Sequence, residues 1–333
     1  MQSSRAKNRA TPVKSPQVSN SLSKAPSFSP FVTSFLEVQT RYGFCYGAVW
    51  YCQRQDLIIA CPLNDDTMQF YDANTLLPLK QRKTHQLDGS VMQMSFHPET
   101  DTYIIGCLDG SIYMYNASSH KLKKLKKCPN QTLKVTFVNW PFYAYSVYES
   151  NQLSIGNIKN DNVLIFDSPR SDRFDLYQLS KSPLLFSSLI NGSVLIYRTD
   201  KLPQMPVIGR FQGDRTRGNA ALPQSFMMNG KEYVATTAQD EEIKIWHVVK
   251  GRMRLVKVIR TERRISSFVY LENYKMIAAV FRSNEMEFYK VPSGRLERRL
   301  ELETSDAESI FLKGKDMLGV LSFHQSVVEF VQL

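Results

Sequence analysis

Residues 91–128 read VMQMSFHPETDTYIIGCLDGSIYMYNASSHKLKKLKKC and contain four short runs of strand-forming residues. The runs are VMQMSFHP, TYIIGCL, SIYMYNA and KLKKLKKC, and short turns rich in Asp, Gly and Ser separate them. β-Branched and aromatic residues favour strands, whereas Asp, Gly and Ser favour the turns between them. The segment therefore predicts a small antiparallel sheet of four strands.

The third of these runs recurs along the chain as a strand that ends in an aromatic residue. Its copies are TMQFYDA with Tyr71, SIYMYNA with Tyr115, SVLIYRT with Tyr197, EIKIWHV with Trp246, EMEFYKV with Tyr289 and SVVEFVQ with Phe330. QLSIGNI places Gly156 in the same register, and the successive spacings are 44, 41, 41, 49, 43 and 41 residues. Seven units of about 40–45 residues, each with four short strands, are the pattern of a β-propeller. The sequence therefore predicts an all-β fold with seven blades.

Two of the units resemble repeats of the WD-repeat family of β-propellers. Residues 85–117 contain His85, the Phe96-His97-Pro98 turn, Asp109-Gly110 and Tyr115-Asn116 in the order of a family repeat, and QDEEIKIWHV resembles the end of another. The Trp-Asp pair is absent, and most units lack the opening Gly-His. The resemblance implies a divergent WD-repeat-type propeller in which hydrophobic packing replaces most of the family's buried hydrogen-bond network.

The last unit supplies three strands of its own, in SIFLK, MLGVLSF and SVVEFVQL. Residues 32–40, VTSFLEVQT, alternate in polarity and are suited to be the fourth strand. We expect this N-terminal strand to close the ring, because closure removes exposed sheet edges. The predicted organisation is a disordered, basic, Ser/Pro-rich tail over residues 1–30 and one propeller over residues 31–333.

The predicted tail contains three candidate phosphorylation sites, Thr11, Ser15 and Ser29, each followed by proline. An unmodified tail is the alternative.

The tail also contributes five of the basic residues that give the chain its net charge of +11, so the propeller is expected to be only mildly basic. No run is apolar enough for a membrane span or a secretory signal, so we expect a cytoplasmic or nuclear protein. Prolines in the tail disfavour the alternative of a mitochondrial presequence.

The sequence contains no recognisable enzyme signature. Its five histidines are scattered, and its glycines form neither of the common phosphate-binding loops. The five cysteines form no C-x-x-C pair, so we expect reduced, mostly buried thiols. We therefore predict a protein without catalytic activity, cofactor or metal.

Three basic clusters are predicted on outermost strands or in the turns beside them. The first contains Lys121, Lys123, Lys124, Lys126 and Lys127, the second spans residues 252–264 and ends in Arg263 and Arg264, and the third contains Arg295, Arg298 and Arg299. Charged side chains on an edge strand protect against unwanted pairing. The alternative is the binding of RNA, anionic lipid or an acidic protein. Arg263-Arg264 resembles the arginine pair of phosphoinositide-binding propellers, without the flanking residues of that motif.

The longest connector between an outer strand and the next inner strand is predicted at residues 212–223, QGDRTRGNAALP. WD-repeat proteins usually bind peptides on the face that carries these connectors, so the resemblance makes Asp214, Arg215 and Arg217 candidate partner contacts. Arginines there would hold an acidic or phosphorylated peptide through bidentate hydrogen bonds; a solvated insertion is the alternative. We expect a scaffold or adaptor subunit of an intracellular assembly, with an RNA-associated or phosphoinositide-binding propeller as the alternative.

Overall fold

The computed structural model describes residues 33–38, 49–62, 65–148, 150, 152–167, 173–179, 182–189, 193–212, 223–237, 241–249, 252–322 and 327–333. Within these ranges, 28 β-strands form seven antiparallel sheets of four strands each. We name the sheets blades 1 to 7 in chain order and give their strands from the innermost to the outermost. The predicted all-β, seven-bladed fold is confirmed.

The first described strand, β1 (Thr33–Glu37), belongs to the last blade, and blades 1 to 4 follow it in the chain. Blade 1 consists of β2 (Val49–Cys52), β3 (Leu57–Ala60), β4 (Thr67–Asp72) and β5 (His85–Gln86). Blade 2 consists of β6 (Val91–His97), β7 (Thr102–Cys107), β8 (Ser111–Asn116) and β9 (Lys121–Lys127). Blade 3 consists of β10 (Thr132–Asn139), β11 (Phe142–Val147), β12 (Gln152–Asn157) and β13 (Asn160–Asp167). Blade 4 consists of β14 (Arg173–Gln178), β15 (Leu184–Leu189), β16 (Ser193–Arg198) and β17 (Val207–Gln212), with a 3-10 turn at Thr199–Lys201.

Blades 5 to 7 complete the ring. Blade 5 consists of β18 (Gln224–Met228), β19 (Lys231–Thr237), β20 (Glu242–Val249) and β21 (Arg252–Arg260). Blade 6 consists of β22 (Ile265–Leu271), β23 (Met276–Phe281), β24 (Glu285–Lys290) and β25 (Leu296–Glu301). Blade 7 consists of β26 (Ala307–Lys313), β27 (Met317–Ser322), β28 (Val327–Gln332) and the N-terminal β1.

The two ends of the chain close the ring within blade 7. Strand β1 pairs antiparallel with β28, from Thr33 opposite Val331 to Glu37 opposite Val327. Within this pairing, Leu36 lies opposite Val328, and both side chains are fully buried in the apolar core that joins blades 7, 1 and 2. The predicted closure by an N-terminal strand is therefore confirmed.

The recurring aromatic residue lies on the third strand of each blade that has one. In four blades it faces an aliphatic residue of the second strand, as in the pair of Tyr289 and Ile277 in blade 6. Blade 3 reverses this arrangement, because Tyr143 of the second strand faces Gly156 of the third. A Cβ atom added at Gly156 would lie 2.3 Å from Cζ of Tyr143. In blade 3 the second strand therefore supplies the aromatic ring that the third strand supplies in other blades.

Polar side chains tie neighbouring inner strands together in addition to the apolar clusters. In blade 2, Oε1 of Gln93 accepts a hydrogen bond from the backbone N–H of Val135 in blade 3, at 3.0 Å. In blade 5, Oε1 of Gln224 accepts one from the N–H of Tyr270 in blade 6, also at 3.0 Å. These bonds satisfy backbone donors on strand edges that have no neighbouring strand. Hydrophobic packing is thus not the only replacement for the hydrogen-bond network expected in WD repeats.

We expect Gln93→Leu to lower the free energy of unfolding by about 1–3 kcal/mol, because the N–H of Val135 loses its acceptor between two blades. Urea unfolding followed by circular dichroism measures the change. Gln53→Leu is the matched control, since Gln53 is exposed in the turn between β2 and β3. Equal stability of the two variants would contradict a role for the bond between blades.

Candidate interaction surfaces

The connectors of the ring lie on two faces, because successive strands of a blade run in opposite directions. Connectors between blades share one face, which we call the upper face, with those between second and third strands. The predicted partner connector joins β17, which ends at Gln212, to β18, which begins at Gln224, and therefore belongs to the upper face. Asp214, Arg215 and Arg217 themselves lie outside the described residues, as do the tail at residues 1–30 and its Thr11, Ser15 and Ser29.

The lysine cluster forms β9, the outermost strand of blade 2, as the sequence predicts. Lys124 and Lys127 form ion pairs with Asp88 and Asp109. The hydrogen bond from Lys124 holds the pKa of Asp88 below its usual range. Lys126 places its ammonium nitrogen 5.8 Å from the ring centroid of Tyr145. Intramolecular carboxylates therefore neutralise part of this cluster.

A basic surface extends from β9 to blade 1, which the sequence analysis missed. Nη1 of Arg82, in the loop between β4 and β5, lies 3.1 Å from Nδ1 of His120, the turn residue just before β9. Burial and the charge of Arg82 lower the pKa of His120. We define the basic surface by its five cationic side chains, Lys80, Arg82, Lys83, Lys121 and Lys123. Its two parts are almost 40 residues apart in sequence, so only the fold shows that they meet.

The paired arginines occupy the connector from β21 to β22 on the upper face. Arg263 forms an ion pair with Glu285 at the start of β24, whereas Arg264 is exposed. Of these two arginines, Arg264 is the one without an ion-pair partner within the described residues. A carboxylate beside Arg263 opposes the binding of a phosphate there.

Acidic partners also neutralise two of the three arginines of the third basic cluster, which lies on β25 and just before it. Nη2 of Arg295 lies 2.7 Å from Oε1 of Glu297. Nε of Arg299 donates a hydrogen bond of 2.8 Å to the buried carboxylate of Glu287. Burial and its hydrogen bond to Glu287 raise the pKa of Tyr289, so this tyrosine stays protonated. The arrangement is a structural network within blade 6.

An apolar rim on the outer parts of blades 3, 4 and 5 is a second feature that the sequence analysis missed. Its six side chains have exposed fractions of 36–58% and are Ile165, Val207, Ile208, Val249, Leu255 and Val256. Single exposed aliphatic side chains are ordinary, whereas exposed groups mark interaction sites, and the rim contains two adjacent pairs, Val207 with Ile208 and Leu255 with Val256. In the sequence, these residues look like ordinary core positions of strands.

β-Bulges explain why adjacent aliphatic residues of the rim are both exposed. In blade 5, Ile245 pairs with Lys257 and Trp246 pairs with Leu255, which leaves Val256 as an extra residue. Blade 4 has the same shift at the equivalent place, where Ile208 is the extra residue. An extra residue interrupts the alternation between the two faces of a strand. Both bulges therefore place a pair of aliphatic side chains at the surface.

The described residues contain no group of three or more His, Cys, Asp or Glu that could hold a metal ion. Cys52, Cys61, Cys107 and Cys128 are buried and form no disulfide. Burial raises the pKa of Cys61 and Cys128, which keeps these thiols protonated and unreactive. Among the helices of the described part, none is long and apolar enough to cross a membrane.

Comparison with known proteins supports the fold. No protein-family model and no curated protein sequence matches the chain. The chain is similar to the β-propeller domain of Cps50 (Swd1) from Myceliophteria thermophila, with a TM-score of 0.71 and 11% sequence identity. The likeness covers 89% of this chain and 98% of that domain. At this low identity the comparison establishes a fold, and it confirms the predicted β-propeller.

Proposed function

We propose that this propeller is a non-catalytic protein-interaction scaffold or adaptor that binds other proteins of a larger intracellular assembly. The observation that supports the proposal most strongly is the apolar rim on three consecutive blades. Covering apolar surface stabilises a complex by about 25 cal/mol per Å² removed from water. A partner that packs on the rim would therefore gain affinity from side chains that water surrounds in the free protein.

The frame that carries the rim is suited to binding. The closing pair of β1 and β28 and the hydrogen bonds between inner strands hold the blades in fixed relative positions. A preorganised surface loses less conformational entropy when a partner binds. The connector with Asp214, Arg215 and Arg217 leaves β17 at Gln212, next to the two blades that supply most of the rim. We therefore propose that the connector and the rim contact the same partner, in the cytoplasm or the nucleus.

An anionic partner is the second candidate, and the basic surface is the observation that favours it. Its lysines and arginines would attract phosphate groups of RNA or of anionic lipids in a salt-dependent way. Binding of a phosphoinositide at Arg263 and Arg264 has less support, because Glu285 already pairs with Arg263. The two candidates differ in which surface a partner needs and in their sensitivity to salt.

We expect the double variant Val207→Ser, Leu255→Ser to recover at least about tenfold less partner protein than the unchanged chain, because truncation of central interface residues costs more than about 1 kcal/mol each. The measurement is recovery of co-purifying proteins with tagged full-length chain, repeated at raised salt and after nuclease treatment. Leu77→Ser is the matched control, since Leu77 is 64% exposed in a loop of blade 1, away from the rim.

A stoichiometric set of proteins that survives salt and nuclease, and that the double variant loses, would support the scaffold. Unchanged recovery with the double variant would remove the rim from the proposal. Loss of partners after nuclease treatment, together with loss in Lys121→Glu, Lys123→Glu, would favour the anionic candidate. The variant Arg215→Ala, Arg217→Ala tests the connector in the same assay, and full recovery would exclude these two arginines as contacts.

A further inference from the structure

The outer edge of blade 5 combines a long strand, exposed aliphatic side chains and arginines without a side-chain partner within the described residues. Strand β21 has nine residues, which makes it the longest described strand, and it pairs with β20 on one side only. Its exposed side chains include Leu255 and Val256 at the bulge. A long edge strand with exposed aliphatic side chains offers unpaired backbone groups and an apolar contact to any extended chain.

Strand β21 also carries positive charge that the ring does not neutralise. Nε of Arg260 lies 3.5 Å from Oε1 of Glu242, and this is the ion pair that β21 forms within the described residues. Arg252 and Arg254 are exposed and have no side-chain partner within the described residues. An arginine side chain can hold a carboxylate through two parallel hydrogen bonds. The first residues of β21 therefore present two guanidinium groups next to the exposed Leu255 and Val256.

The outer strands of blades 2 and 6 lack this combination. On β9, Asp88 and Asp109 neutralise two lysines, and the leucines between the lysines are half-buried. On and beside β25, Glu297 pairs with Arg295 and Glu287 pairs with Arg299. Charge alone protects an edge from unwanted pairing, but exposed aliphatic residues on the same edge work against that protection. The composition of β21 is therefore better explained by an edge that a partner covers.

We propose that β21 is a docking edge at which an extended acidic segment of a partner protein adds a fifth strand to blade 5. The inference rests on the proposed scaffold function and adds the chemistry of the partner. Backbone N–H and C=O groups of the segment would pair with the free edge of β21. Alternate side chains would then place carboxylates at Arg252 and Arg254 and apolar groups against Leu255 and Val256.

An acidic peptide fits this edge better than a nucleic acid does. The exposed side chains next to the arginines are aliphatic, and single-stranded nucleic acids bind through stacking on aromatic rings. A strand edge also supplies paired donors and acceptors at the spacing of a polypeptide backbone. The partner is thus expected to be a polypeptide that alternates acidic and apolar residues.

The test uses the full chain and a short fluorescein-labelled peptide of alternating glutamate and valine, with binding followed by fluorescence anisotropy. We expect saturable binding and at least about tenfold weaker binding by Arg252→Glu, Arg254→Glu. The matched control is Arg54→Glu, Lys315→Glu, which reverses two exposed charges in turns of blades 1 and 7 and is expected to bind within about twofold of the unchanged chain. A peptide of alternating lysine and valine should bind at least about tenfold more weakly.

A second pair of measurements separates strand addition from charge attraction alone. In a second peptide, proline replaces two central valines, which keeps the charge but removes two backbone N–H donors. We expect this peptide to bind at least about tenfold more weakly. Hydrogen exchange of the unchanged chain should show slower exchange in β21 when the original peptide is present. This measurement needs no variant and so stands even if the arginine variant does not fold.

Equal binding of the proline peptide, or unchanged exchange in β21, would overturn the inference. Equal binding by the Arg252→Glu, Arg254→Glu variant would overturn it too. If a short oligouridylate or anionic vesicles bind with the same arginine dependence and the peptide does not, the edge recognises nucleic acid or lipid and the inference is wrong. If the peptide fails to bind while partner proteins still co-purify with the variant, the scaffold function stands and only the role of β21 is lost.

Discussion

Deletion of residues 31–40 is expected to unfold the propeller or to cause it to aggregate, because the ring then lacks the outer strand of blade 7. The deletion removes the pairing of β1 with β28 and the burial of Leu36 and Val38. Each such side chain contributes about 1.5–3 kcal/mol, and Val328 also becomes exposed. Together with the lost strand pairing, this approaches the whole stability of a typical domain, about 5–15 kcal/mol.

Thermal unfolding and size-exclusion chromatography measure this result. Addition of a synthetic peptide with the deleted sequence should restore part of the folded monomer, because the peptide can occupy the vacant strand position. Two point variants refine the test: we expect Leu36→Ala to cost about 2–5 kcal/mol and Phe35→Ala clearly less, since Leu36 is fully buried and Phe35 is 39% exposed. A cooperative transition at the original temperature in the deletion variant would contradict closure by β1.

The parts of the fold that follow from local sequence could be predicted. The aromatic residue near the end of the third strand sets the repeat, and its copies in five blades lie at equivalent places: Tyr71, Tyr115, Tyr197, Trp246 and Tyr289. In blade 7 the register places Val331 there, and Phe330 lies one residue earlier, on the other side of the sheet. The closing strand could be predicted because the last unit supplies only three strands. Both inferences need only periodicity and the requirement that strand edges be paired.

The parts that depend on contacts between distant residues could not be predicted. Gln93 and Gln224 look like ordinary surface residues of a strand, yet each accepts a hydrogen bond from the next blade. Arg82 meets His120 only because adjacent blades bring a loop and a strand together. Likewise, Val207 and Leu255 look like core residues, because a sequence does not show where a bulge interrupts the alternation of a strand.

Gly156→Tyr is expected to destabilise the protein, although it restores the aromatic found at this position in five other blades. The ring of Tyr143 already fills the space, since a Cβ atom at Gly156 would lie 2.3 Å from Cζ and 2.5 Å from the hydroxyl oxygen of Tyr143. Tyr143 is itself buried between strands, so it has little room to move. Overpacking of this kind costs about 1–3 kcal/mol, and urea unfolding measures the loss.

The double variant Tyr143→Ile, Gly156→Tyr tests whether the two positions compete for the same space. It rebuilds in blade 3 the pair that blade 6 forms between Ile277 and Tyr289, so we expect it to be more stable than Gly156→Tyr alone. Tyr143→Ile alone should also be destabilised, because it leaves a cavity over Gly156. The two single losses should then exceed the loss in the double variant, as expected for residues in direct contact. Purely additive losses in the free energy of unfolding would contradict the view that Tyr143 fills the space which an aromatic residue at position 156 would occupy.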